Sequence, residues 1–262
     1  MSIVRQVTSR HNDLFKVLRR LLTEPTAYRK LGRVWVEGDH LCRALLERGR
    51  TPVRAIVTES GWATPILESL ARNAPEVVCI PDALMKELSG LESPAPIGFL
   101  IDADTSATPQ PGVDTIVLDR LQDPGNVGSI LRTASAMGVA QVIALKGSVA
   151  LWSPKVLRAG MGAHFALTLA EGAAIADIAA LGLPIVGTHL RDAQWLHETT
   201  LPRPLAWVFG HEGQGMSDAV TAACTLRVRI AQPGGEESLN VAAAAAMCLY
   251  ESARQRGASN SR

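Results

Sequence analysis

Gly210-His211-Glu212-Gly213-Gln214-Gly215 and Gln232-Pro233-Gly234-Gly235-Glu236-Glu237-Ser238-Leu239-Asn240 are two glycine-rich segments, each preceded by a strand-like run. A third, Asp123-Pro124-Gly125-Asn126-Val127-Gly128, lies farther back. Glycine lets a backbone approach a ligand closely and supplies φ > 0 turns. Open α/β sheets bind ligands in loops off the carboxyl ends of their strands. The first two segments, at the ends of adjacent strands, therefore suit one ligand pocket approached closely by backbone. Plain turns would carry the same glycines.

Several other chemistries are excluded by pattern. The loop after the first strand of this region reads D-P-G-N-V-G and not the G-x-G-x-x-G of a dinucleotide site. There is no G-x-x-x-x-G-K-[ST], no G-x-S-x-G and no H-E-x-x-H. Cys42, Cys79, Cys224 and Cys248 form no C-x-x-C pair, which argues against a zinc site or a disulfide framework and for a reducing compartment. No signal peptide is expected at the N-terminus, because Arg5, Arg10, Asp13 and Lys16 interrupt it. No apolar run reaches the roughly 18 residues of a membrane helix. The expectation is a cytoplasmic protein that needs neither metal nor membrane.

The elements that must position these loops alternate between strand and helix. Thr115-Ile116-Val117-Leu118 is an apolar strand of buried parallel type. A helix is expected over 129–137, strands over 141–145, 165–169 and 184–188, and a short helix from Ser153-Pro154-Lys155 to Ala159. Ala206 to Phe209 and Leu226 to Ile230 are further strands, and 241–251 a helix of strong formers. Six strands joined by helical crossovers make a mostly parallel sheet.

Upstream lies a second α/β pattern. A helix over 13–22 carries Arg10, Lys16, Arg19 and Arg20 on its polar side and ends before Pro25. Strands over 34–36, 53–57, 77–80 and 97–101 alternate with helices over 39–48, 62–73 and 82–91. Thr105 to Asp114 holds two prolines, a glycine and no apolar period. The expected division is a small domain over 1–104, a linker over 105–114 and a larger domain over 115–262.

Charge is unevenly spread along the 262 residues, although the net charge is only +1. Residues 1–54 carry 12 Lys and Arg against 5 Asp and Glu, whereas 55–104 carry 2 against 8. A basic first fifth fits a phosphate backbone, and equally a solvated helix face. Aromatic residues make up only 4%, too few for a broad base-stacking platform.

Three blocks in this order resemble the SpoU (TrmH-like) family of RNA 2′-O-ribose methyltransferases, within the SPOUT superfamily. They are Leu118-Asp119 through Asp123-Pro124-Gly125-Asn126-Val127-Gly128 to Arg132-Thr133-Ala134, Val208-Phe209-Gly210-His211-Glu212-Gly213-Gln214-Gly215-Met216-Ser217, and Ile230 through Pro233-Gly234-Gly235 to Glu237-Ser238-Leu239-Asn240-Val241-Ala242. Ser153-Pro154-Lys155 and Met161-Gly162-Ala163-His164 between them are also similar to the family, and residues 5–102 look like the substrate-binding domain that often precedes it. One departure is His211, where the family usually has Asn.

The resemblance implies an α/β protein with a small N-terminal α/β substrate-binding domain and a mostly parallel α/β methyltransferase domain tied in a trefoil knot. It implies a homodimer, S-adenosylmethionine as methyl donor, and backbone contacts to that cofactor at Gly210, Ile230 and Leu239 with Thr188 nearby. It makes Arg132 the central catalytic residue. A guanidinium is a poor base, so a bidentate grip on the target phosphate is the better role for it. Asn126 would orient a loop or bond substrate. Glu212 would order Asn126 and Arg132 or take the proton. Ser238 and Asn240 would reach the ribose or only cap the last helix. Arg10, Lys16, Arg19 and Arg20 would meet RNA, and Lys155 and His164 could touch its phosphates. Ribosomal RNA is the expected substrate ahead of transfer RNA. A non-catalytic RNA-binding member of the fold, or a methyltransferase for small molecules or RNA bases, are the alternatives.

Overall fold

The structure is a computed structural model that describes residues 2–89, 91–235 and 238–259. Glu236 and Glu237 of the third sequence block lie outside the described residues. The chain forms two compact units, Met1–Thr105 with Trp152–Phe165, and Ser106–Leu151 with Ala166–Arg262.

In the first unit the order is β1 (Ile3–Gln6), α1 (Asp13–Thr23), α2 (Ala27–Leu31), β2 (Arg33–Glu37), α3 (Asp39–Glu47), β3 (Arg54–Thr58), α4 (Glu59–Trp62), α5 (Pro65–Ala71), β4 (Glu76–Ile80), α6 (Asp82–Leu88) and β5 (Ile97–Asp102). The five strands make a mixed sheet in the order β1-β4-β3-β5-β2. β1 and β3 run parallel to β4, while β5 is antiparallel to β3 and β2. α1 begins where Asn12 Oδ1 accepts the Leu14 N–H at 2.9 Å, and it buries Leu14, Phe15, Leu18 and Leu21. Its other side leaves Arg10, Lys16, Arg19 and Arg20 exposed at or beside the helix. The single helix expected over 62–73 is two, because Pro65 lacks the N–H that would continue α4 and instead opens α5.

The second unit contains β6 (Thr115–Asp119), α7 (Pro124–Ala136) and β7 (Gln141–Leu145). The following helix, α8 (Pro154–Gly160), falls in the first unit and packs on β2. The second unit resumes with β8 (Thr168–Ala173), α9 (Ile175–Ala179), β9 (Ile185–Thr188), β10 (Gln194–Trp195), β11 (Ala206–Gly210), α10 (Asp218–Ala223), β12 (Leu226–Arg229) and α11 (Val241–Ser259). Seven strands, one more than expected, form a sheet in the order β10-β12-β9-β11-β6-β7-β8 in which every pairing is parallel.

Period 2 divides the strand residues between two buried faces. Val117, Ile143, Ala206 and Val208 join Ile178, Leu181 and Val220 in one core cluster. The alternate residues Trp207 and Phe209 stack with ring centroids 6.1 Å apart, and Trp207 Nε1 donates to Ser252 Oγ of α11 at 2.9 Å. β6 and β11 lie side by side near the middle, so the segments that follow them meet at the same sheet edge.

Candidate active site

α7 starts five residues before the expected 129, and this moves Asn126 from a loop onto a helix. Asp123 has extended φ/ψ, its Oδ1 accepts the Asn126 N–H at 2.7 Å, and Pro124 occupies the first helical turn. That is the preferred chemistry of a helix start. Asn126 is therefore held in the first turn of α7, with its side chain at the carboxyl end of β6.

The segment after β11 folds into a tight hairpin. The Gly215 N–H donates to the His211 carbonyl at 2.8 Å, and the two residues form an antiparallel bridge. Glu212 projects from this hairpin toward the start of α7. Its carboxylate accepts the Gln122 N–H at 3.3 Å, the Asp123 N–H at 3.1 Å and the Asn126 Nδ2–H at 3.3 Å. Burial pushes the Glu212 carboxyl up, but hydrogen bonds from its own backbone, Asp123, Asn126 and Gln122 outweigh it and hold the group below its ordinary value. A carboxylate so held orders its donors and makes a poor proton acceptor.

Asn240 completes the cluster. Its Nδ2 donates to Asn126 Oδ1 at 3.0 Å, while its Oδ1 accepts the Ala242 and Ala243 N–H groups at 2.9 and 3.2 Å. It is both the N-cap of α11 and a member of the site. Ser238 is exposed and takes no part in the cap.

A cavity of about 580 Å³ opens beside this network. All four residues expected to touch a cofactor line it: Thr188 at the end of β9, Gly210 at the end of β11, Ile230 after β12, and Leu239 before α11. Glu212 and Ser238 are in its wall too. A Cβ built on Gly210 would stand 2.2 Å from Met216 N and 2.3 Å from Gly215 C, so only glycine admits the returning backbone there. A wall built at three strand ends and the approach to α11, with a size inside the usual ligand range of about 300–1,000 Å³, fits an adenosine-bearing cofactor.

Arg132 is not part of the cluster. It is exposed, and its side chain makes no hydrogen bond or ion pair with the described residues. Six positions along α7 turn it about 120° away from Asn126. His164 cannot reach phosphate from the surface, since it is 0% exposed and its ring lies 5.2 Å from that of Trp152. Lys155 is exposed. Lys16 pairs with Asp13 at 2.9 Å and Arg20 with Glu24 at 3.2 Å; such exposed pairs are weak and open to competition.

Asp119 and Arg120 were not singled out from sequence. Asp119 is buried, and its carboxylate accepts the Ser217 N–H at 2.6 Å and Arg120 Nε–H at 3.1 Å. Arg120 adopts φ 60 and donates to Gln214 Oε1 and the Gly215 carbonyl at 3.1 and 3.4 Å. The pair braces the hairpin from the β6 side. Its one sequence signal is an Asp-Arg dipeptide ending an apolar strand. Among the described residues no three His, Cys, Asp or Glu side chains come together as a metal site, and no helix is long and apolar enough to cross a membrane.

The SpoU rRNA Methylase family matches residues 114–250. An uncharacterized tRNA/rRNA methyltransferase of Synechocystis sp. is 32% identical over 99% of this chain and 97% of its own. A 23S rRNA (uridine(2479)-2′-O)-methyltransferase of Streptomyces viridochromogenes is 28% identical over 96% of this chain and 93% of its own. The crystal structure of an AdoMet-bound rRNA methyltransferase from Sinorhizobium meliloti superposes with a TM-score of 0.84 at 26% identity, covering 97% of this chain and 98% of that one.

Proposed function

This chain belongs to the SpoU rRNA methylase family, and we propose that it transfers a methyl group from S-adenosylmethionine to a ribose 2′-hydroxyl of ribosomal RNA. The observation that carries the reading is the Glu212–Asn126–Asn240 network standing at the rim of the backbone-lined cavity. When bound there, the cofactor supplies an electrophilic methyl group. The protein has to align the hydroxyl in line with it, exclude water and give the hydroxyl proton a path.

The residues divide that work. Thr188, Gly210, Ile230 and Leu239 hold the cofactor. Glu212 fixes the start of α7 and the amide of Asn126. Asn126 and Asn240 present polar edges to the ribose, with Ser238 beside them on the cavity wall. Arg132, with its guanidinium unengaged, grips the phosphate next to the target. Its distance from the cluster matches a partner that approaches from solvent.

Residues 1–104 are the RNA substrate-binding domain, joined by 105–114 to the methyltransferase domain over 115–262. The exposed cations Arg10, Lys16, Arg19 and Arg20 contact backbone phosphate there, while shape selects the site. The protein works as a homodimer, and its C-terminal segment is threaded through a trefoil knot. Support for the dimer comes from the large apolar side chains of Met247 and Tyr250, which stand 44% and 62% exposed on α11. The four free cysteines support a cytoplasmic setting.

The test is transfer of labelled methyl groups to large ribosomal RNA and to bulk transfer RNA, each from cells lacking this protein. Label in ribosomal RNA at one position resistant to alkaline cleavage is expected. Label in transfer RNA alone, or in neither pool with cofactor binding intact, overturns the assignment.

A further inference from the structure

The hairpin that carries Glu212 is closed by an unusual acceptor. His211 Nδ1 takes the N–H of Gly213 at 3.0 Å and that of Gln214 at 3.3 Å. Both donors are amides, so Nδ1 carries no proton and the ring is the neutral Nε2–H tautomer. Nδ1 of a histidine is as many bonds from its Cα as Oδ1 of an asparagine. The residue therefore makes the turn that an Asn side chain makes by bonding a backbone N–H two residues on. The difference is that an amide oxygen has no proton to gain in the assay range, whereas imidazole does.

We propose that His211 is a positioning residue for methyl transfer: unprotonated, it shapes the hairpin that presents Glu212 to Asn126, and protonated it releases that hairpin. A proton on Nδ1 faces two N–H donors, removes both bonds at once and frees the turn that sets Glu212. The Glu212 carboxylate then loses its register on Gln122, Asp123 and Asn126. The charged and titratable groups on the hairpin and its supports are Glu212 beside the ring, Arg120 gripping the far end of the hairpin and Asp119 paired with Arg120, while His189, Arg191 and Arg229 line the same cavity as His211. The two N–H donors aimed at Nδ1 make the unprotonated ring the form that closes the hairpin. The inference rests on the reading of Glu212 as part of the active site.

The test compares wild type, His211→Asn and His211→Ala in the full chain, by methyl transfer to ribosomal RNA from pH 8 to 6 and by a histidine ¹⁵N spectrum. At pH 8, His211→Ala is expected to lose about tenfold or more in transfer, from two lost hydrogen bonds, and His211→Asn to recover most of it. On acidification the wild type should fall more steeply than His211→Asn, and the spectrum should show the Nε2–H tautomer at pH 8. Equal activity of His211→Ala and wild type at pH 8, parallel pH profiles for wild type and His211→Asn, or an Nδ1–H tautomer each overturn the proposal. The spectrum reads the ring without turnover, so an enzyme that methylates neither RNA pool refutes the functional assignment and leaves the tautomer to decide this one.

Discussion

Gly210→Ala adds one methyl group at the most crowded backbone position of the site. The new Cβ would lie 2.2 Å from Met216 N, 2.3 Å from Gly215 C and 2.6 Å from Gly215 O. These are main-chain atoms, so no side-chain rotation relieves them. Overpacking of this kind costs about 1–3 kcal/mol. Either β11 or the hairpin has to move. β11 is paired on both sides, to β6 and to β9, while the hairpin is exposed over residues 212–215. The hairpin moves, and with it the cavity wall from His211 to Met216. The cost therefore falls on cofactor affinity, as a rise of about 5- to 150-fold in Kd, and much less on Tm, where each kcal/mol would be worth about 2–4 °C. Gly213→Ala is the control. Its Cβ would meet nothing nearer than the His211 ring at 3.9 Å, and the N–H bonded to His211 is kept. Titration calorimetry with S-adenosylmethionine on the two variants, beside thermal melts, separates the effects. A Kd for Gly210→Ala within about twofold of wild type, or an equal loss in Gly213→Ala, refutes the reasoning.

Arg132→Ala should abolish methyl transfer while cofactor affinity, by the same calorimetry, stays within about twofold, because the side chain touches nothing in the cavity. Glu212→Gln replaces one accepting oxygen by a donor and should slow transfer about 10- to 100-fold, the worth of a charge-assisted bond. Since hydrogen bonds hold the Glu212 carboxyl below its ordinary 4.5, its stabilisation is complete above that value and lost as pH falls through the depressed one. Melts should therefore show the wild-type advantage over Glu212→Gln constant from pH 7 to about 5 and shrinking below about pH 4. Asn240→Asp keeps the acceptor for Ala242 and Ala243 but loses the donor to Asn126, and should lower transfer with Tm nearly unchanged; Asn240→Ala should also lose about 1 kcal/mol of cap, seen as a Tm fall of about 2–4 °C.

The strands that build the site were legible because they are buried on both faces. Thr115–Leu118 and Ala206–Phe209 read as apolar runs, and every residue of the strands they form is buried. The start of α7 was not, since Asp-Pro-Gly-Asn fits a turn as well as a capped helix. Only the Asp123–Asn126 bond decides between the two. β1 went unread because all four of its residues are exposed, leaving no face for an alternating pattern to mark. β8 begins later than 165 because residues 163–166 make a turn of 3-10 helix first. A cavity beside the glycine loops at the strand ends was legible from the glycines themselves. The brace from Asp119 and Arg120 was not, because its partners lie 94 to 98 residues away and no local pattern encodes such a pairing.

The double duty of Asn240 has a consequence in time. Asn126 meets Glu212 across 86 residues of chain and Asn240 across 114, and the far end of the same last helix returns Arg256 to Asp114, ahead of β6, across 142. A sheet whose neighbours are this distant in sequence assembles slowly. A nascent chain that has made β6 through β11 still lacks the residue that closes the Glu212–Asn126–Asn240 cluster. On the proposed reading, methylating competence requires the first turn of α11, and a chain ending before Asn240 would carry the cavity without the polar edge that aims a ribose into it.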